Sequence, residues 1–509
     1  MTSQSENTKR IAKNTLMLYG RMLFMMVIGL FTSRITLSVL GITDYGIYNV
    51  VGGMVAMFSI LSGSLSVAIS RFITLEVGNG DHQKLNEIFS TSISVQIIIS
   101  IVIYLLAEVI GVWFLNHKLI IPQERLYAAH WVFHLSVLTF VIGLISAPYN
   151  AVIIAHEKMS AFAYISVIEV ILKLLIVYLL YISLVDKLII YAVLVACVAL
   201  LINIIYVVYC KRHFTDVYYR PRFNKNLLQK MFKFIGWAFW GNGVVVLKDQ
   251  GTNILLNLFC GPAINAARGL AMQVNNAVCS FVYNFMTAVN PQITKSYSVG
   301  DITNMHKLII QSAKFSSFIL LILLIPICAN INYVLSLWLV VVPEHTANFI
   351  ILVLLYSLFD CYASPLITGV LAEGDIKRYE IALTFIYLTN FISSYVFLRM
   401  GLQAEWVFVL NIVFKFFVVL ALLWHSRIKY SFPIITFIRE SMSKTIIILI
   451  ICVCFVKLLP ISGANNLYDF ILYTFIILAF CIGAVFFIGI NRKESTYIIE
   501  IFRSKFHLK

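Results

Sequence analysis

Lys248 and Asp249 stand side by side inside the apolar run VVVLKDQGTNILLNLF, residues 244–259. An ammonium beside a carboxylate neutralises it, and either group can grip a ligand: the cation a phosphate, the anion a set of hydroxyls. Asn242 precedes the pair, and Asn253 and Asn257 follow it. At helical spacing, Asn242, Asp249, Asn253 and Asn257 fall within about 80° of one another, which draws a polar stripe along the segment, while Lys248 sits off it. The next apolar segment repeats the pattern, with Asn265, Arg268, Asn275 and Asn276 within about 100°. The first apolar segment carries Arg21 and Arg34, which lie roughly 220° apart and so cannot aim at one point.

Two readings of these faces compete. Amides link helices inside membranes, each contributing about 1 kcal/mol. Two successive segments with full-length polar faces point instead to a hydrated lumen. Arg21, Arg34, Lys248 and Arg268 outnumber Asp249, so such a lumen is net positive and attracts an anion. Arginine adds a bidentate grip suited to phosphate.

The elements that hold these residues are membrane helices. The chain has 509 residues, of which 61% are hydrophobic and 12% charged. It contains about fourteen apolar segments of roughly 20 residues, the length that crosses about 30 Å of hydrocarbon as helix. A polytopic all-α membrane protein is the expected fold class, and the alternating ten-residue segments of a membrane β-barrel are missing. The net charge of +15 follows topology, because most Lys and Arg fall in one set of connecting segments. That bias places both termini in the cytoplasm and excludes nucleic acid as a partner; membrane lipids surround the chain.

The stretch from 211 to 233 holds seven Lys or Arg and divides the first twelve spans six and six. A duplication follows the division. Gly41, Gly80 and Asp81 recur as Gly261, Gly300 and Asp301, and Pro148 and Ala155 recur as Pro365 and Ala372. Six is even, so the two copies enter from the same side as parallel repeats, with the substrate path expected between them. The expected domains are a six-helix lobe over 1–210, a basic cytoplasmic linker over 211–232, a second six-helix lobe over 233–428, and two extra helices with a cytoplasmic tail over 429–509.

The other ionisable residues within spans have simpler accounts. Glu169 and Lys173 are four apart and form a self-neutralising helical pair. Glu108 and Lys415 stand near span ends, where snorkelling or an interhelical partner serves them. Asp360 lies within span ten.

Catalytic chemistry finds little footing. No phosphate-binding Gly-rich loop ending in Lys-Ser or Lys-Thr occurs, AHEKM at 155–159 lacks the second histidine of a zinc helix, and no GxSxG turn is present. The largest external segment, NHKLIIPQERLYAA, offers only His117 and Glu124. The nine cysteines show no metal-ligand spacing. No enzyme, cofactor or metal is expected.

Four stretches taken together resemble a known family: SRITLSVLGITDYGIYNVVGG at 33–53, KDQGTNILLNLFCGPAINAARGLAMQV at 248–274, NPQITKSYSVGD at 290–301 and VLAEGDIKRYEI at 370–381. Their order and spacing are similar to the lipid-linked polysaccharide (O-antigen) flippases of the multidrug, oligosaccharidyl-lipid and polysaccharide exporter superfamily. The resemblance implies two six-helix lobes around a V-shaped cavity, and alternating access. It implies as substrate an oligosaccharide on undecaprenyl diphosphate, carried across the bacterial cytoplasmic membrane for surface polysaccharide assembly. Glycosyltransferases and a polysaccharide polymerase are the implied partners. Arg34 matches the family's arginine in span one, and Asp249 its acid in span seven. Two alternatives share the fold: a cation-coupled multidrug exporter and a peptidoglycan-precursor flippase. The exporter needs an acid in the first lobe, where span one offers only arginines.

Overall fold

The structure is a computed structural model of the chain. It describes residues 2–59, 65, 66, 69, 70, 72, 73, 76, 77, 81–156, 158–214, 217–220, 225–374, 377–459, 466–491 and 494, apart from the side chains of 2–19, 21, 159, 225–242 and 288. Every regular element among these residues is helical. Hydrocarbon offers no water to an unpaired backbone group, so each apolar segment must close its hydrogen bonds within itself.

Eleven helices among the described residues are long and apolar enough to cross a membrane. In chain order the elements used below are α1 (Thr2–Ala56), α2 (His82–His117), α3 (Gln123–Ala155), α4 (Met159–Ile182), α5 (Lys187–His213), α6 (Lys225–Cys260) and α7 (Pro262–Ser298). After them come α8 (Ile302–Ala329), α9 (Ile331–Trp338), α10 (Thr346–Glu373), α11 (Lys377–Arg399), α12 (Glu405–Tyr430), α13 (Ile434–Leu458) and α14 (Leu467–Gly489). The helices α6 and α7, 36 and 37 residues long, fall outside the eleven. They are the two that carry the asparagine-rich faces. The protein is a multi-pass membrane protein.

The chain divides into two compact units. The first comprises Met1–Gly269 with Leu339–Glu344 and Ser394–Ala404, and the second Leu270–Trp338, His345–Ser393 and Glu405–Lys509. Residues 233–269, placed in the second lobe by the sequence division, pack here within the first unit. Among the described residues, the first unit has an apolar core around Ile47, Val51, Phe133 and Val177 and another around Ile69, Phe89, Val152 and Ile202.

The duplication has a backbone signature. Gly41 breaks α1 with φ 79°, and Gly261, between α6 and α7, has φ 82°. A side chain at either position would meet its own carbonyl, so glycine is required. Asp81 caps α2 by accepting the Lys84 amide at 3.1 Å, and Asp301 caps α8 by accepting that of Asn304 at 3.0 Å. Pro148 and Pro365 both lie buried inside helices, α3 and α10.

A further correspondence was not legible in the residue types. In the first unit Arg125 binds Asp44, with its Nε 2.7 Å from Oδ1, and also binds Asp186. In the second unit His345 meets Glu405 at 2.5 Å. The positions match at nearly the same offset as the glycines, but Arg–Asp has become His–Glu. Burial pushes the Asp186 carboxyl up; the Arg125 guanidinium and the helix amides of Leu188 and Ile189 overcome it and hold the group below the usual carboxylate range.

Glycine also sets how tightly the first unit closes. A Cβ on Gly46 would collide with the Pro262 carbonyl, and one on Gly53 would collide with the Asn253 amide. One on Gly269 would stand 2.7 Å from Asn49 Oδ1. Backbones approach where side chains vanish, as at small-residue interfaces in membranes. Gly46→Ala is expected to destabilise the protein by about 1–3 kcal/mol, the usual range for overpacking. Gly52 has nothing within 4 Å of its would-be Cβ, so Gly52→Ala should leave the thermal midpoint unchanged. Equal midpoints for the two variants would contradict this packing.

Candidate functional site

The helix α6 carries Lys248 and Asp249 well inside its length, and its turns decide what each side chain meets. Lys248 is buried at 8% exposure and turns its Nζ onto Asp249 Oδ1 at 3.0 Å, while the Asp249 side chain stays 41% exposed. From the start of α7, Arg268 donates from Nη2 to the Asp249 backbone carbonyl at 3.0 Å. Both cations are therefore engaged from the protein side, and the open face belongs to the carboxylate. A carboxylate in a span costs several kcal/mol against acyl chains.

The asparagines behave differently. Asn257 is fully buried, accepts the Ile120 amide at 2.9 Å and donates to the Ile120 carbonyl at 3.4 Å. Asn253, 3% exposed, donates to the Asn49 carbonyl at 3.2 Å, and Asn265 donates to its side-chain and backbone oxygens, both at 2.8 Å. In the second unit Asn275 is buried and accepts from Ser357 Oγ at 2.7 Å. The expectation that the whole stripe lines a lumen is thus corrected for Asn253, Asn257 and Asn275. An amide both donates and accepts: within the first unit Asn253 ties α6 to α1 and Asn257 ties α6 to the segment between α2 and α3, and within the second Asn275 ties α7 to α10. Helical phase groups residues on a face without saying whether that face meets water or protein.

The remaining candidates divide as follows. Arg34 is half-buried on α1. Asn276 is exposed, on α7 in the second unit. The side chains of Arg21 and Asn242 lie outside the described residues. The structure brings Lys248, Asp249 and Arg268 together in the first unit, with Asn253 tied instead to Asn49 and Asn265. The spacing pair Glu169–Lys173 meets at 2.6 Å, and Glu108 has a partner in His134 at 2.9 Å. Lys415, expected to snorkel or pair, is buried and pairs with Asp360 at 2.5 Å. Missed altogether was the buried Lys314 on α8, held by Glu494 at 2.6 Å. The two residues are too far apart in the chain for any spacing rule to join them. All nine cysteines are free thiols.

Comparison with known proteins now bears on this arrangement. A family model described as polysaccharide biosynthesis protein matches residues 11–297. Among solved structures, the lipid II flippase MurJ in an inward closed conformation superposes with a TM-score of 0.69 at 14% identity, covering 92% of this chain and 98% of that one. An inward-facing multidrug resistance MATE transporter gives 0.61 at 14% identity, over 81% of this chain and 94% of that one. A transporter of the same superfamily from Pyrococcus furiosus, described as having a binding pocket of reversed polarity, gives 0.59 at 14% identity, over 82% and 96%. At such identity these structures establish a shared fold. Curated protein sequences contain no significant match. The family model spans more than half of the chain, which therefore belongs to the polysaccharide biosynthesis protein family, with the fold of the flippases and multidrug transporters of that superfamily.

Proposed function

We propose that the protein flips an undecaprenyl-diphosphate-linked oligosaccharide across the bacterial cytoplasmic membrane by alternating access, supplying surface polysaccharide assembly. The chain is a transporter of the flippase superfamily; the finer assignment rests chiefly on one observation. Asp249 keeps a carboxylate that is 41% exposed and paired with Lys248 well inside α6, and Arg268 binds its backbone carbonyl.

An exposed carboxylate with a neutralising lysine is a hydrogen-bond acceptor for hydroxyls, which sugars present in rows. Net charge near zero at this point also lets a diphosphate pass without being trapped. Arg34 is the residue we assign to transient phosphate contact, and Arg268, bound to the Asp249 backbone carbonyl, positions that carboxylate; Arg21, Asn242 and, on the second unit, Asn276 are assigned from the sequence alone. No catalytic step is required, since no covalent bond changes. Both termini are assigned to the cytoplasm, and a polymerase and glycosyltransferases are the expected partners.

Deleting the gene is expected to remove surface polysaccharide and to leave its lipid-linked repeat unit accumulating on the cytoplasmic leaflet. Polysaccharide analysis and lipid extraction measure both. Normal polysaccharide in the deletion strain, or drug sensitivity as its sole phenotype, would overturn the assignment.

A further inference from the structure

The second unit carries its own open carboxylate. Asp360 lies at the midpoint of α10 and Lys415 well inside α12, and their side chains meet at 2.5 Å. As with Lys248 and Asp249, the lysine is inside, at 6% exposure, and the carboxylate is open, at 34%. The Lys415 ammonium also stands 5.4 Å from the centroid of Tyr356, one turn from Asp360. The two pairs are not repeat equivalents, because Asp249 and Asp360 differ by 111 positions rather than by the offset of the glycines. The same device has been built twice on different helices.

The surface beside Asp360 has a matching character. Tyr283 on α7 lies within electrostatic range of both Asp360 and Lys415 and is 53% exposed. Asn276 and Thr287, one turn or two to either side of it on the same face, are exposed as well. A lipid-facing ribbon would be apolar, as the exposed Ile, Leu and Val of α2 are. This one presents an amide, a phenol ring, a hydroxyl and a carboxylate, and its cation is spent on that carboxylate. Aromatic faces stack on the apolar faces of sugar rings, and amides and carboxylates bind the hydroxyl edges. Lys415, the cation at this spot, is buried and paired, so it offers phosphate little grip.

From these groups we infer a second saccharide-binding station on the second unit, formed by Asp360 and Tyr283 with Asn276 and Thr287 and positioned by Lys415. It takes the uncharged sugars of the carried oligosaccharide rather than the diphosphate, and it rests on the flippase assignment above.

The test is photo-crosslinking in cells with the full-length protein. Benzoylphenylalanine replaces Tyr283, and in a separate strain Val245, which lies one turn from Asp249. After irradiation the purified protein is probed for attached carbohydrate and by mass spectrometry. Saccharide attached at both positions is the expected result. Saccharide at position 245 with phospholipid or nothing at 283 would overturn the second station and leave the transport assignment standing. Saccharide at neither would overturn both. Saccharide at 283 alone would support the station and remove Asp249 from the path.

A double variant separates binding from folding. Asp360→Leu with Lys415→Met deletes the pair without stranding a charge. Export is expected to fall roughly tenfold or more at unchanged protein level, the worth of one charge-assisted hydrogen bond. Wild-type export from this variant would make the pair a packing feature and sink the proposal.

Discussion

Asp249→Asn is expected to stop surface polysaccharide export while the protein remains in the membrane at its normal level. Asparagine keeps the shape and loses the charge. Hydrogen bonds to a charged partner are worth about 1.5–3 kcal/mol, so the loss should reduce transport on the order of 10- to 100-fold. Lys248 would also lose its counter-ion, and buried at 8% exposure it would strain the fold. The double variant Lys248→Met, Asp249→Asn separates these effects. If the stranded lysine alone caused the defect, the double variant would regain export; we expect it to remain defective, and Asp249→Glu to recover part of the activity. Export is measured as surface polysaccharide per unit of inserted protein. Normal export from Asp249→Asn would remove this carboxylate from the mechanism.

The second large effect concerns stability. Lys314 on α8 is 2% exposed, and its Nζ lies 2.7 and 2.6 Å from the two oxygens of Glu494. Glu494 also accepts the Asn491 amide at 2.9 Å and the Gln311 side chain at 3.3 Å. Removing one member of a buried pair leaves the other charged and desolvated. Glu494→Gln should therefore cost about 3 kcal/mol, at the low end of the range for buried pairs because the carboxylate keeps some contact with water. The thermal midpoint of the detergent-solubilised protein should fall by several degrees. Lys314→Met with Glu494→Leu should recover most of the loss, since an apolar pair needs no desolvation. An unchanged midpoint in Glu494→Gln would show the pair to be idle.

The same pair fixes the sign of a pH effect. Burial raises the Glu494 carboxyl, and the Lys314 ammonium with the Asn491 amide more than reverses that, holding it below the usual glutamate range. Its stabilising contribution is therefore complete above the unfolded-state pKa and is lost as pH falls through the lower folded-state value. Acid should narrow the gap between wild type and Glu494→Gln.

Particular residues show why part of this was legible in the sequence. Gly41 and Gly261 could be matched by eye, because only glycine serves a left-handed corner and the residue type survived duplication. Asp81 and Asp301 survived as caps for the same kind of reason. The Arg125–Asp186 and His345–Glu405 contacts did not show, because a guanidinium–carboxylate pair at one position corresponds to an imidazole–carboxylate contact at the other. The stripes on α6 and α7 were visible as polarity, but polarity alone does not separate Asn257, clasped to the Ile120 backbone, from Asp249, whose side chain is 41% exposed. That distinction depends on which helices approach, and the approach is set by Gly46, Gly53 and Gly269, remote in sequence from the residues they bring together. The partner of Lys314 lies beyond the last span, where no periodicity reaches.

The most direct measurement uses purified protein in liposomes that carry an undecaprenyl-diphosphate oligosaccharide with a fluorescent sugar. A membrane-impermeant quencher added outside reports which leaflet holds the headgroup. Wild-type protein should make nearly all of the label quenchable over time, and Asp249→Asn should leave the inner-leaflet fraction protected. Protection with the wild-type protein equal to that of protein-free vesicles, or equal loss of protection with Asp249→Asn, would contradict a carboxylate-lined passage for the lipid-linked saccharide.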